Sequence, residues 1–188
     1  MVTPSAGNRS TRLCGPEPRA VQFPNQDVLL AWVSDSIEVC QALGVKVVLL
    51  AFFSKGDLRG DTAGVDEVVR RLKGVAPKAE KAGVILGIES WLSADQHVEI
   101  IDRVGSKAVQ VYYDVCNSTD RGYDIYKEIR QLGKRKLICE FHAKDYADLY
   151  GKGSINFPEV RKAMDDIGYR GWIHMEGVQF PLGVEESC

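Results

Sequence analysis

Residues 83–93 read GVILGIESWLS. The run Val84–Ile88 is short, apolar and β-branched, as in a strand buried on both faces, and Glu89 stands at its C-terminal end. Three more stretches repeat this pattern. Ala108–Tyr113 leads to Asp114, Lys136–Phe141 to His142, and Gly171–Met175 to Glu176. Core packing does not explain four successive strand ends that deliver Glu, Asp, His and Glu. A single divalent-metal site at one end of a parallel β/α array does.

Helices alternate with these strands. Asp27–Leu43 has Leu30, Val33, Ile37 and Cys40 at helical spacing, and Gly44 closes it. Val45–Phe53 is a further continuous apolar strand, and Val65–Lys81 an amphipathic helix before Gly83. Ser93 with Gln96 forms a capping-box pattern for a helix to Val104. Asp120–Leu132 is expected to be one helix. Asn156–Ile167 is another, with Asn156 as cap, Glu159 three residues on and Pro158 in the first turn. The expected fold class is therefore α/β, with about five parallel strands and outer helices. A closed (β/α) barrel has eight strands and about 250 residues. At 188 residues, residues 27–188 are expected to form an incomplete barrel domain. Residues 1–26, rich in Gly, Pro, Ser, Asn and Arg, are expected to be irregular or disordered.

Composition narrows the function. A net charge of -2 provides no basic footprint, so nucleic acid is not a favoured partner. No apolar run reaches membrane-spanning length, and the first residues lack a signal-peptide core. Five scattered cysteines without a CxxC pair suggest reduced thiols and a cytoplasmic protein.

Alternation along each strand puts Gly87, Tyr112, Glu140 and His174 on the same face as the four candidate ligands, one layer below. Glu140 and His174 must then be paired, either to orient the ligands or as a buried structural pair. Trp91, Cys116 and Lys144 fall at the rim above.

The stretches GVKVVLLAFFSKGDL (44–58), GVILGIESWLS (83–93), VQVYYDVCNS (109–118), FHAKDYADLYGKGSINFPEV (141–160) and GYRGWIHMEG (168–177) carry a resemblance. The chain resembles the sugar phosphate isomerase/epimerase group. These are the xylose-isomerase-like TIM barrels that include tagatose- and psicose-type 3-epimerases and inosose dehydratase. The resemblance spans roughly residues 28 to 178, and the family's first three strands have no counterpart here. It implies that Glu89, Asp114, His142 and Glu176 hold one divalent ion, commonly manganese, and that Glu89 and Glu176 are the acid/base pair. Three carboxylates and an imidazole suit manganese or magnesium better than a thiophilic metal, with cobalt or zinc as alternatives. The implied reaction is proton transfer next to the carbonyl of a sugar or sugar phosphate, through an enediolate.

The pattern also departs from the 3-epimerases. Asp95 replaces a Glu six residues after the first ligand, Asn117 a His three after the second, and Asp148 an Arg six after the third. Asp95, Asn117, Lys144 and Trp91 are therefore the candidate substrate contacts, with rim packing as the alternative for Trp91 and solvation for Lys144. Gly151-Lys152-Gly153 reads as a plain loop rather than a phosphate cradle. His97 is expected on a helix surface, Tyr112 and Trp172 in the core, and Cys116 as an inert thiol. Three functions compete: a metal-dependent isomerase or epimerase, a multi-zinc hydrolase that needs more than the three histidines present, and a catalytically silent barrel that binds metal or assembles with another chain. A homo-oligomer stays open.

Overall fold

A computed structural model describes residues 26–145 and 151–176. The expected irregular segment before Gln26, Asp148, Cys14 and Cys188 lie outside the described residues. Five strands form one parallel sheet in chain order: β1 (Val47–Phe52), β2 (Ile85–Ser90), β3 (Val109–Asp114), β4 (Ile138–Ala143) and β5 (Ile173–Met175). The helices between them are α1 (Gln26–Leu43), α2 (Thr62–Ala82), α3 (Ala94–Val104), α4 (Val115–Asp120), α5 (Ile125–Lys134) and α6 (Phe157–Asp166). Among the described residues, β1 and β5 are the two edges and do not meet, so the sheet is an open part of a barrel.

The helix ends show why the chain breaks where it does. Asp61 accepts from the Gly64 amide, which starts α2 three residues before its first apolar position at Val65. Ser93 and Gln96 complete the expected capping box at α3, and Gly105 ends it at φ 74°. Asn156 accepts from the Glu159 amide to start α6. The expected helix Asp120–Leu132 corresponds to α5, which begins only at Ile125, and a further short helix, α4, precedes it. Asp114 caps α4 by accepting from the amides of Cys116 and Asn117. Gly122 then turns the chain at φ 77°, and Asp124 caps α5 through the Lys127 amide. A strand-end carboxylate therefore starts a helix that hydrophobic spacing alone does not reveal.

The core lies between the helices and the outer face of the sheet. Leu86, Ile88, Val109, Val111 and Phe141 are buried there against Ile100, Val104, Ile129, Leu132 and Ala163. Phe141 makes edge-on contacts with Tyr113 and Tyr169, at centroid distances of 5.9 and 4.8 Å. The opposite, concave face is only partly covered. It forms a trough of about 800 Å³ whose walls include Leu49, Tyr112, Glu140, Trp172 and His174. Tyr112 is buried as expected, but Trp172 is 73% exposed, which corrects its placement in the core. Among the described residues no further strand stands opposite β5 to cover it.

Candidate metal centre

Parallel pairing sets the strand ends level. Ala51 is opposite Glu89, Asp114 opposite His142, and His142 opposite His174. One ligand atom each of Glu89, Asp114, His142 and Glu176 therefore falls within 4.8 Å of all the others. His142 Nδ1 lies 3.0 Å from Glu89 Oε1, 3.5 Å from Glu176 Oε2 and 4.0 Å from Asp114 Oδ2. Glu89 and Asp114 are buried, while the Glu176 side chain is 46% exposed.

Electrostatics keep the cluster together. Lys144, nearly buried, places Nζ 2.8 Å from Asp114 Oδ2 and 2.9 Å from Glu176 Oε2. Burial pulls the Lys144 pKa down, but Asp114 and Glu176 outweigh it, and the group is held above its ordinary value as an ammonium. Burial likewise lowers His142, and the surrounding carboxylates, Glu89 first, more than reverse this. Burial raises Asp114, and Lys144 and the Asn117 amide offset only part of the rise. Asn117 Nδ2 reaches Glu89 Oε1 at 3.4 Å.

The residues suit a hard divalent ion. Three carboxylates and an imidazole converge, and Asp114 Oδ2 is buried without a hydrogen bond of good geometry, with Lys144 beside it. Below them, the Tyr112 ring lies 4.5 Å from His142, and His174 Nε2 pairs with Glu140 Oε2 at 3.0 Å. Gly87 makes room for this layer, since a Cβ there would sit 2.8 Å from Cys139 Sγ.

Of the four candidate substrate contacts, the structure brings Asn117 and Lys144 to the cluster. Trp91 stands at the rim beside Phe53, Arg59 and Arg121, contacts that hydrophobic spacing did not reveal. Asp95 is elsewhere. It lies exposed in the first turn of α3 and bonds Gln131 of α5 in the outer helical layer.

His97 is a correction, buried rather than on the surface. Its Nδ1 lies 3.0 Å from the Ser93 carbonyl and its Nε2 2.9 Å from Ser90 Oγ. The carbonyl can only accept, so Nδ1 carries the proton and Nε2 accepts from Ser90. The Gly153 amide donates to buried Asp145, so it faces a carboxylate rather than an anion site. Cys40, Cys116 and Cys139 form no disulfide among the described residues, and Cys116 is buried and outside the converging four. Sequence reasoning also missed Glu128. This buried carboxylate accepts from Tyr113 Oη and the Ala94 amide, both at 2.8 Å, and ties α5 to β3 and α3.

Residues 13–187 match the xylose isomerase-like TIM barrel family. The chain belongs to this family. It is 24% identical over 185 residues to a D-psicose 3-epimerase of Enterocloster bolteae, covering 89% of this chain and 58% of that protein. The chain thus spans little more than half of this family member. Its fold matches that of a D-psicose 3-epimerase crystallised in the presence of D-fructose, with a TM-score of 0.68, 22% identity, and coverage of 85% of this chain and 58% of that one. It also matches the IOLI protein with a bound zinc atom, with a TM-score of 0.65, 21% identity, and coverage of 80% and 60%. No described helix is long and apolar enough to cross a membrane.

Proposed function

We propose that the chain carries the divalent-metal centre of a cytoplasmic sugar or sugar phosphate isomerase or epimerase that works by proton transfer next to a carbonyl. The observation that carries this reading is the convergence of Glu89, Asp114, His142 and Glu176 within 4.8 Å, in a chain of this family. The four side chains would hold one ion, with manganese the first expectation. When bound, such an ion supplies fixed positive charge next to the oxygens on which negative charge develops in an enediolate.

The chain's own groups do the rest. Glu89 and Glu176 are the acid/base pair, one taking the proton from the substrate carbon and the other, protonated at the start, delivering its own proton to the opposite face. Asn117 orients Glu89 through its amide. Lys144 positions Glu176 and, when the carboxylates bind an ion, is free to turn to a substrate oxygen. The Tyr112 ring holds His142 from below.

The open concave face favours a second reading, in which this chain binds metal but turns over substrate weakly unless another chain closes the barrel. Trp172, Ile173 and Met175 at the β5 edge and Leu49 on β1 are exposed. Missing walls admit water and loosen substrate positioning, which costs orders of magnitude in rate. Solvent-deuterium exchange at the carbon next to the carbonyl, across a ketose panel with manganese present, decides between them. The expected result is measurable manganese binding with slow exchange. Exchange as fast as in a complete epimerase would eliminate the second reading. Absence of both metal binding and exchange would eliminate the first.

A further inference from the structure

The rim above the acidic cluster has opposite chemistry. Trp91 lies two residues beyond Glu89, about 6.6 Å further along the strand direction. The guanidinium carbons of Arg59 and Arg121 lie 5.0 and 5.1 Å from its ring centroid, and the Phe53 ring is at 5.3 Å. Tyr123 Oη donates to the Trp91 carbonyl at 3.1 Å. These residues come from the segments after β1, β2 and α4, so tertiary structure assembles the group.

The charge balance is uneven. Asp57 neutralises Arg59 through a two-pronged pair, with Nε–Oδ2 at 3.0 Å and Nη2–Oδ2 at 2.7 Å. Arg121 is exposed and lies over the indole; among the described residues it enters no ion pair of its own and shares only the longer-range field of Asp57. Indole stacking for aromatic packing alone needs no second cation, and two like charges on one ring repel. Cation–π attraction at exposed sites is worth only about 0.5–1 kcal/mol. An exposed guanidinium with five N–H donors is suited to two-pronged binding of an oxyanion.

We propose that Arg121, with Arg59 beside it on Trp91, forms a subsite for the anionic end of a substrate whose carbonyl end lies at the four-residue cluster. The orientation of that substrate rests on the proposed function, whereas the oxyanion site itself does not. The ligand chemistry is a phosphate or a carboxylate, and the test separates the two.

The test follows the indole N–H signals of the metal-free protein by NMR, with Trp91 assigned through Trp91→Phe. Inorganic phosphate and glucuronate are titrated separately against sodium chloride at matched ionic strength. The expected result is a saturable shift of the Trp91 signal, with those of Trp32 and Trp172 unmoved, and at least tenfold weaker binding in Arg121→Gln. Arg59→Gln is a second variant in case the first does not fold. A response to phosphate alone or to glucuronate alone supports the subsite and names its ligand, and a response to both supports a general oxyanion subsite. A shift no larger than that with chloride, or one unchanged in both variants, overturns it. Repeating the titration in Glu176→Gln separates the two claims, because the anion response should persist there whether or not the chain turns over a ketose.

Discussion

Lys144 Nζ sits 2.8 Å from Asp114 Oδ2, the one oxygen of that carboxylate not used to cap α4. Asp114 thus has two tasks. Oδ1 holds the start of a helix, and Oδ2 faces the cluster with Lys144 as its counter-charge. Any divalent cation at the four side chains must compete with this ammonium.

That competition predicts the behaviour of Lys144→Gln. Without metal, removing the ammonium leaves Asp114 buried beside other carboxylates, which should cost on the order of 3 kcal/mol. Manganese should then stabilise the variant more than the wild type, because the ion restores the lost charge. Thermal melts with and without manganese check this. Equal manganese shifts in the two proteins would show that Lys144 and the ion do not share the site.

Glu176→Gln should act in the opposite direction. The amide keeps the shape but loses the charge, so the manganese-induced rise in melting temperature should shrink. Each tenfold loss of affinity removes about 1.4 kcal/mol of ligand stabilisation at saturating metal. An unchanged shift would remove Glu176 from the ligand set.

His97 predicts a pH dependence. Burial lowers its pKa from 6.5 to about 4, although the bond to the Ser93 carbonyl opposes this. The unfolded chain therefore binds the proton more readily than the fold. The stability that comes from keeping His97 neutral is fully present above pH 6.5 and is lost as pH falls toward 4. The size is about 3 kcal/mol. Other groups titrate in this window, so the measurement is the difference in urea-unfolding free energy between wild type and His97→Gln. That difference should shrink as pH falls; a constant difference would contradict the burial argument.

Gly87 predicts a non-additive pair. A methyl group there meets Cys139 Sγ at 2.8 Å and the Tyr112 Cβ at 3.3 Å. Gly87→Ala should cost about 1–3 kcal/mol through overpacking. Cys139→Ala should relieve part of that cost in the double variant, so the two single effects should not add. Simple additivity in chemical denaturation would mean that the strain is released elsewhere.

Much of the fold was legible because it rests on local rules. Short apolar runs marked all five strands, the Ser93–Gln96 box and Asn156 marked helix starts, and alternation placed Glu140 and His174 together one layer below the cluster. The four strand-end side chains could be named from sequence because a parallel array carries successive strand ends to one side. Other features were not local. The start of α4 depends on an Asp114 carboxylate that spacing alone assigns only to a metal. His97 lay at a position that suited a helix surface, but α3 turns this face inward, where it meets Ser90 at the end of β2. Asp95 left the candidate substrate contacts because helix rotation turned it toward Gln131. The pairing of Lys144 with Asp114, and of Arg59 and Arg121 with Trp91, joins segments far apart in sequence. Hydrophobic period and capping chemistry act within a few residues, so sequence alone established the strands, most helix starts and the identity of the converging groups. Strand register and helix rotation decided which charges neutralise one another, because Coulomb and hydrogen-bond energies depend on distances that only the packed chain sets.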